Sequence, residues 1–219
     1  MSRRVGLDQA SVVEAAVKLI DEEGLEQLSL GRLAERLGVR TPSLYNHVAG
    51  LPGLKHDLTL YCLHDVLDRI LRATVGKSRA EAIFALATAY RAYARETPGR
   101  YALTLQAPDP GDQELQAIAR QLVDVIRAVL APYRLSEEDA IHAIRGIRSL
   151  VHGFISLEVA GGFGMPIDQD ASFHWLIKLF IAGLSRSTVT GKQESVVTEN
   201  GERRTLSSHL FGKEGEAPF

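Results

Sequence analysis

The segment RTPSLYNHV, residues 40–48, carries many side chains that can form hydrogen bonds to nucleic acid. Its hydroxyl, amide and imidazole groups suit phosphate oxygens and base edges in a DNA groove. Leu44 and Val48 are four residues apart, so on a helix they share one face and leave the polar residues on the other. The pattern predicts a short recognition helix whose polar residues face DNA, namely Arg40, Thr41, Ser43, Tyr45, Asn46 and His47.

A second short helix is predicted immediately before this segment. Ser29 can cap it, because a serine hydroxyl accepts a hydrogen bond from the free amides of a first helical turn. Gly38 can end it in a left-handed conformation, and Pro42 suits the first turn of the next helix. The apolar residues between these points recur at helical spacing, namely Leu30, Leu33, Ala34 and Leu37. Two short helices joined by a glycine-containing turn form a helix-turn-helix. The alternative is a tight helical corner that does not bind DNA.

The sequence SLGRLAERLGVRTPSLYNHV closely resembles the DNA-binding domain of TetR/AcrR-type transcriptional regulators. The hallmark of that family, L-Y-x-H followed by valine or phenylalanine, is matched by Leu44, Tyr45, His47 and Val48. The resemblance covers about residues 8–60, and LVHGFISLE and SFHWLIKLFIAGL are similar to the eighth and ninth helices of one TetR subgroup. It implies a homodimeric repressor that is released from its DNA operator by a small ligand.

The resemblance also implies roles for individual residues. Tyr45 and His47 would contact phosphates, and Ser29 would cap its helix against another phosphate. Members of the family often carry a lysine three residues after the Val48 position, where this chain has Leu51. Lys55, one turn later, would reach the same phosphate. The expected DNA-binding residues are therefore Ser29, Arg40, Thr41, Ser43, Tyr45, Asn46, His47 and Lys55, of which Thr41, Ser43 and Asn46 would face base edges or the backbone.

The charge of the N-terminal segment does not by itself indicate DNA binding. Residues 1–55 contain seven basic and seven acidic side chains, and the whole chain has a net charge of −2. We expect the acidic residues at the end of the first helix to lie away from DNA, with the arginines close to the motif. Binding would then depend strongly on salt concentration, because phosphate contacts release counterions.

The rest of the chain also has helical periodicity, which predicts an all-α protein of about nine helices. The expected divisions are a three-helix DNA-binding domain over residues 1–50, a ligand-binding and dimerisation bundle over 51–187, and a polar, mostly disordered tail over 188–219. Predicted helix caps are Asp8, Ser136 and a capping box formed by Ser78 and Glu81. Gly24 is expected to end the first helix in a left-handed conformation.

The composition is typical of a cytoplasmic protein. Hydrophobic residues make up 45% of the 219 residues, so a substantial core can form. Cys62 is the single cysteine and cannot form an internal disulfide, which fits a reducing compartment. No segment approaches the roughly 20 apolar residues that a membrane span requires.

The segment LIKLFIAGL, residues 176–184, is apolar on more than one face. A helix of this kind must be covered on several sides, which predicts a dimer interface in addition to core packing. The candidate dimerisation residues are Leu176, Leu179, Phe180 and Leu184. The alternative is burial within a single chain. Phe173 and Trp175 are interpreted as packing groups.

A ligand cavity is expected inside the C-terminal bundle. Its candidate polar residues are Tyr90, Tyr93, Arg148 and His152. Arg145, Arg148 and His152 recur at spacings of three and four, so they share one helix face. That face either lines a polar part of the cavity or is a solvated stripe.

The chain contains none of the common catalytic or cofactor motifs. Its histidines and Cys62 lack the H-x-x-x-H or C-x-x-C spacing of metal sites, and no G-x-S-x-G, P-loop or G-x-G-x-x-G sequence is present. We therefore expect neither enzyme activity nor a cofactor or metal. The alternative function is a helical-bundle enzyme or ligand-binding protein without a role at DNA.

Overall fold

The computed structural model describes residues 7–190, with the side chains of residues 7–185, and all regular secondary structure in this part of the chain is helical. Its nine α-helices are α1 Gln9–Glu23, α2 Leu30–Leu37, α3 Thr41–Leu44, α4 Gly50–Thr74, α5 Arg79–Glu96, α6 Pro98–Leu103, α7 Gln113–Leu130, α8 Glu137–Val159 and α9 Gln169–Thr190. Short 3₁₀ turns follow α1 and α7. The all-α prediction is confirmed. None of these helices is long and apolar enough to cross a bilayer.

The first residues of the predicted tail belong to the last helix. Helix α9 continues to Thr190, so residues 188–190 form its last turn. The remainder of that tail, residues 191–219, lies outside the described residues, as do residues 1–6.

Most predicted helix caps are present. The Asp8 carboxylate accepts a hydrogen bond from the Ser11 amide at 2.8 Å, and the Ser11 hydroxyl oxygen accepts one from the Asp8 amide at 3.0 Å. Ser136 accepts from the Asp139 amide at 3.0 Å. Gly24 ends α1 at positive φ, but its ψ of 158° is extended and not left-handed helical.

The capping box predicted at Ser78 and Glu81 is wrong. Ser78 precedes α5, yet its side chain makes no capping hydrogen bond. The next residue, Arg79, has a φ of +50°. A capping box requires right-handed helical backbone directly after the cap residue, so that the first amides point back at the serine. The positive φ of Arg79 removes that geometry.

Helix α4 connects two apolar cores. Leu54 and Leu58, near its start, are fully buried among α1, α2 and the α3 segment. Val66 and Ile70, near its end, are buried among the C-terminal helices. The N-terminal core therefore extends beyond residue 50, where the sequence placed the domain division. Movement of α4 in one core must displace side chains in the other, because close-packed interiors tolerate few voids.

Helix α6 is a second connection, which we call the α6 junction (Gly99 and Arg100 against α1 and α4). A Cβ atom at Gly99 would lie 2.9 Å from the carbonyl oxygen of Ile20, so only glycine allows α6 to approach α1 this closely. Arg100 Nε donates to Asp21 Oδ1 of α1 at 2.9 Å, and Arg100 Nη1 donates to Asp65 Oδ2 of α4 at 3.2 Å.

A buried arginine joins α5, α8 and the start of α9. Arg91 donates to both carboxylate oxygens of Glu158, from Nε at 3.0 Å and from Nη2 at 2.6 Å. Its guanidinium lies over the rings of Phe154 and Phe173, at 5.2 and 4.7 Å from their centroids. Both charged side chains are nearly buried, with 8% and 9% of their surfaces exposed. Burial makes a partner necessary for each charge, and Arg91 has a second carboxylate in the exposed Asp170 of α9, whose Oδ1 lies 2.8 Å from Nη1.

We expect Glu158→Ala to lower the free energy of unfolding by about 2 kcal/mol, because it removes the buried one of the two carboxylates that hold the Arg91 charge. Arg95→Ala is the control, since Arg95 is half exposed and lies 3.7 Å from Glu158. It should cost less than about 1 kcal/mol. Urea denaturation at one fixed protein concentration measures both values. Equal losses for the two variants would contradict the structural role of the buried pair.

Candidate DNA interface and ligand cavity

Helices α2 and α3 form the predicted helix-turn-helix. Ser29 caps α2 by accepting a hydrogen bond from the Arg32 amide at 3.3 Å. Gly38 ends α2 in the left-handed conformation, with φ 66° and ψ 30°. The amides of Gly38 and Val39 donate back to the carbonyls of Glu35 and Ala34, at 3.1 and 3.0 Å. This turn fixes the direction in which the recognition segment leaves α2.

The recognition segment is less regular than a full helix. Leu44 and Val48 are buried in the N-terminal core, as predicted from their spacing. Regular helix ends at Leu44, however, and the amides of His47 and Val48 both donate to the Leu44 carbonyl, at 2.9 and 3.0 Å. The segment is one helical turn continued by a tighter turn, and two apolar anchors hold it against the core.

All eight predicted DNA-binding residues lie at the protein surface. Tyr45 is 61% exposed, and Arg40, Asn46 and Lys55 are also exposed. Partly buried positions are held by Ser29, Thr41, Ser43 and His47. Leu51 packs against the N-terminal core. Lys55 is the nearest following cation.

The acidic residues at the end of α1 pair with the arginines of α2. Arg36 Nη2 lies 2.6 Å from a Glu22 carboxylate oxygen, and Arg32 Nη2 lies 3.1 Å from Glu23. The C-terminal end of α1 packs beside α2, so two arginines one turn apart meet two consecutive glutamates. These ion pairs neutralise the α2 arginines.

The unpaired positive charges that the structure describes near the recognition segment are therefore those of Arg40 and Lys55, not those of the α2 arginines. In the described part of the chain, Arg40 and Lys55 have no carboxylate within ion-pair distance. Arg40 directly precedes α3, and Lys55 is in the second turn of α4. These two cations flank the recognition segment, which is where phosphates would approach if the segment entered a DNA groove. The basic residues Arg3 and Arg4 lie outside the described residues.

A cavity of about 190 Å³ lies in the C-terminal bundle. Its walls come from α4, α5, α7 and α8, and the segment after α6 forms part of its edge. Most of the lining is apolar, including Leu63, Val66, Ile70, Leu86, Leu122, Ile126, Ile144, Ile147 and Val151. The polar lining residues are Tyr90, Thr104, Gln106 and Arg148.

Two of the four predicted ligand-binding residues line this cavity, namely Tyr90 and Arg148. His152 lies beside it, where its Nδ1 atom is 2.7 Å from the hydroxyl of Tyr101. Tyr93 does not line it, because the ring is fully buried and its hydroxyl donates to the Cys62 carbonyl at 3.3 Å. Arg145 is exposed. The predicted polar face of α8 is therefore divided between cavity, core edge and solvent.

Helix α9 has one face against its own core and another face uncovered. Leu184 is buried within the chain, and Leu176 and Phe180 pack partly against the same core. Leu179 is 50% exposed and Trp175 is 63% exposed, so Trp175 is not the internal packing group that the sequence predicted. Phe173 is internal. We define the outer α9 surface as Trp175 and Leu179, one helical turn apart, with the exposed Ile167, which lines a shallow depression together with Trp175.

Cys62, the single cysteine of the chain, is fully buried. Burial raises the pKa of its thiol to about 12. The protonated form therefore dominates near neutral pH, and a thiol in this form is a poor nucleophile.

A helix-turn-helix with an exposed polar recognition segment, joined through one long helix to a bundle with an apolar cavity, defines a DNA-binding regulator. Comparison with known proteins identifies the family. Residues 12–47 match the family described as bacterial regulatory proteins, tetR family, and residues 83–180 match the tetracyclin repressor-like C-terminal domain. The chain belongs to the TetR family of transcriptional regulators, which have DNA-binding and ligand-binding domains and are not enzymes.

Relatives and solved structures agree with this assignment. The chain is 36% identical over 192 residues to an uncharacterised HTH-type transcriptional regulator of Mycobacterium tuberculosis, covering 87% of this chain and 88% of that protein. It is 35% identical over 185 residues to the regulator YobS of Bacillus subtilis, covering 84% and 96%. The fold matches apo ActR of Streptomyces coelicolor with a TM-score of 0.65 at 20% identity, covering 86% of this chain and 100% of ActR.

We expect Arg40→Ala to make the salt dependence of DNA affinity less steep. If Arg40 contacts one phosphate, the slope of log K against log salt should fall by about 0.9. The control is the double variant Arg32→Gln with Glu23→Gln, which removes an ion pair that is already neutral and should leave the slope nearly unchanged. Fluorescence anisotropy of labelled DNA across a salt titration gives this slope for the unmodified protein and for both variants. An unchanged slope for Arg40→Ala would remove Arg40 from the interface.

Proposed function

We propose that this regulator is a homodimeric repressor that binds a pseudo-palindromic operator and is released by a small molecule. The observation that carries the proposal is the continuity of α4, which contributes Leu54 and Leu58 to the DNA-binding core and Leu63, Val66 and Ile70 to the cavity wall. One rigid element thus connects the ligand site with the recognition segment. The proposed compartment is the cytoplasm, where the operator lies.

Recognition of DNA combines non-specific and specific contacts. Tyr45 and His47 hold phosphates, together with Arg40, Lys55 and the hydroxyl of Ser29. Asn46, with Thr41 and Ser43, reads base edges, because amide and hydroxyl groups match the donors and acceptors of the major groove. Support for this interface comes from the exposure of Tyr45 and Asn46 at the end of the recognition segment.

Dimerisation uses the outer α9 surface. Exposed tryptophan and leucine side chains grouped at one place are typical of protein interfaces, whereas isolated exposed apolar residues are common anywhere. Leu179 is the one of the four predicted dimerisation residues that contributes to this interface as an exposed side chain. Trp175 takes the place of Leu184, because Leu184 is buried within its own chain. Two-fold symmetry then places two recognition segments about 34–36 Å apart, one turn of DNA.

Release follows from movement of α4. A ligand that enters the cavity displaces Val66 and Ile70, and the helix transmits the displacement to Leu54 and Leu58. The α6 junction offers a parallel route, because Arg100 bridges Asp21 of α1 and Asp65 of α4. A ligand releases DNA only if it binds the released conformation more tightly than the DNA-bound one.

Two solved structures with this fold contain small molecules. One is a TetR variant from Acinetobacter baumannii AYE in complex with minocycline, with a TM-score of 0.64 at 22% identity, covering 84% of this chain and 99% of that one. The other is ActR in complex with (S)-DNPA, with a TM-score of 0.59 at 20% identity, covering 84% of this chain and 100% of that one. At these identities they support ligand binding by the fold without indicating which ligand this chain binds.

The proposed DNA interface is tested by gel shift with the DNA upstream of the protein's own gene and with random DNA. The double variant Tyr45→Ala with His47→Ala should weaken binding to both, because phosphate contacts are present on every sequence. Asn46→Ala should instead lower the preference for the operator by about 10-fold, within the range for one lost base contact.

The control for these variants is His64→Ala, an exposed histidine on α4 outside the recognition segment. Its binding should match that of the unmodified protein. Retained affinity in the double variant would contradict the assigned interface, and so would a loss of equal size in His64→Ala.

The proposed dimer is tested by sedimentation velocity. Trp175→Glu should convert the protein to a monomer at micromolar concentration, because the glutamate charge would be buried without a partner at the interface. Operator affinity should fall as well, because a monomer can occupy only one half-site at a time. Val75→Glu is the matched control, since Val75 is 74% exposed but lies at the end of α4 outside the outer α9 surface. A Trp175→Glu protein that stays dimeric would place the interface elsewhere.

A further inference from the structure

The ligand cavity has a pronounced chemical asymmetry. Its walls are aliphatic over most of their area, and the polar residues gather at the side where the chain leaves α6, namely Thr104, Gln106 and Arg148. Among the lining residues, Arg148 is the charged one. A molecule that fills this cavity therefore meets hydrocarbon at one end and a guanidinium at the other.

The guanidinium of Arg148 has spare hydrogen-bonding capacity. Its Nη2 atom donates to the backbone carbonyls of Leu105 at 2.9 Å and Thr104 at 3.3 Å. Both acceptors are neutral, and no carboxylate of the described residues lies within ion-pair distance of Arg148. By contrast, Arg91 and Arg100 each hold a carboxylate. A guanidinium has five N–H donors in a planar fork, so Arg148 can donate to both carbonyls and still donate to a bound anion.

We propose that the effector is an apolar molecule carrying one carboxylate, with its hydrocarbon part in the cavity and its carboxylate on Arg148. This inference rests on the proposed role of the cavity as the effector site. The fork of an arginine matches the two oxygens of a carboxylate, and such charge-assisted pairs are stronger than hydrogen bonds between neutral groups.

The position of Arg148 favours an anion without demanding full dehydration. Its side chain lines the cavity and is also exposed to solvent. A carboxylate bound there keeps part of its hydration, which avoids much of the penalty for burying a charge. A cationic ligand would be repelled by the same guanidinium, and a neutral one would gain only its apolar contacts.

The cavity volume limits the size of the apolar part. An apolar cavity of about 150 Å³ is large enough to bind benzene. The cavity of about 190 Å³ found in this chain therefore has room for one ring with a short chain, or for a short unbranched alkyl chain. Phenylalkanoates and medium-chain alkanoates are the matching probes.

The test uses isothermal titration calorimetry on the full-length protein without DNA. The probes are phenylacetate, 3-phenylpropanoate, hexanoate and octanoate, each paired with its neutral primary amide. At least one carboxylate should bind saturably and about 10-fold or more tighter than its amide, as expected for an ion-assisted bond. Equal binding of acid and amide overturns the proposal, and so does the absence of saturable binding by all four acids.

Variants then assign the preference to Arg148. Arg148→Met keeps most of the side-chain length and removes the charge, so acid and amide should bind within about twofold of each other. Arg148→Lys should restore part of the preference, because the charge returns without the fork. Arg145→Met is the matched control from the same helix, where the arginine is exposed and away from the cavity. A preference that survives in Arg148→Met overturns the assignment. Amide binding by Arg148→Met, unchanged from the unmodified protein, verifies that its cavity is intact.

A DNA-release assay separates this inference from the proposed function. The best acid is added to the protein–operator complex. If the acid binds through Arg148 but leaves the protein–DNA complex intact, the carboxylate ligand class is supported, and the proposal that a ligand in this cavity releases DNA is contradicted. If an amide releases DNA as well as its acid does, the cavity acts as an effector site but the anionic class is wrong.

Discussion

The contact on which this architecture depends is the close approach of α6 to α1. It requires glycine at residue 99, because any Cβ atom there would collide with the Ile20 carbonyl. Once α6 is close, Arg100 reaches Asp21 of α1 and Asp65 of α4. The same short helix presents Tyr101 to His152 of α8. One six-residue helix therefore touches the DNA-binding core, the long α4 and the ligand bundle, so these parts cannot move independently.

The DNA-binding face shows how a nearly neutral domain can still bind an anionic polymer. Its charges are segregated: the arginines of α2 are neutralised by Glu22 and Glu23, whereas Arg40 beside α3 has no such partner in the described structure. The field that DNA meets is set by such local differences, not by the net charge of the domain.

The sequence predicted well those features that depend on neighbours along the chain. The turn at Gly38 and the buried anchors Leu44 and Val48 follow from local periodicity and backbone preference. Features that depend on packing between helices were missed, such as the ion pairs of α2 and the burial of Tyr93. Helical geometry at 100° per residue could have separated Trp175 and Leu179 from the inward stripe of Phe173, Ile177 and Leu184. Hydrophobicity alone could not, because both faces of α9 are apolar.

The position of Arg148 also suggests how binding energy would reach α6. The carbonyls that Arg148 holds belong to Thr104 and Leu105, directly after the last residue of α6. The guanidinium has enough donors for both, so a carboxylate on its remaining N–H groups would be linked through Arg148 to those two carbonyls. The end of α6 would then be connected to the bound effector. Because α6 is anchored to α1 and α4 through Arg100, this connection would let effector binding favour one of two conformations, which release from DNA requires.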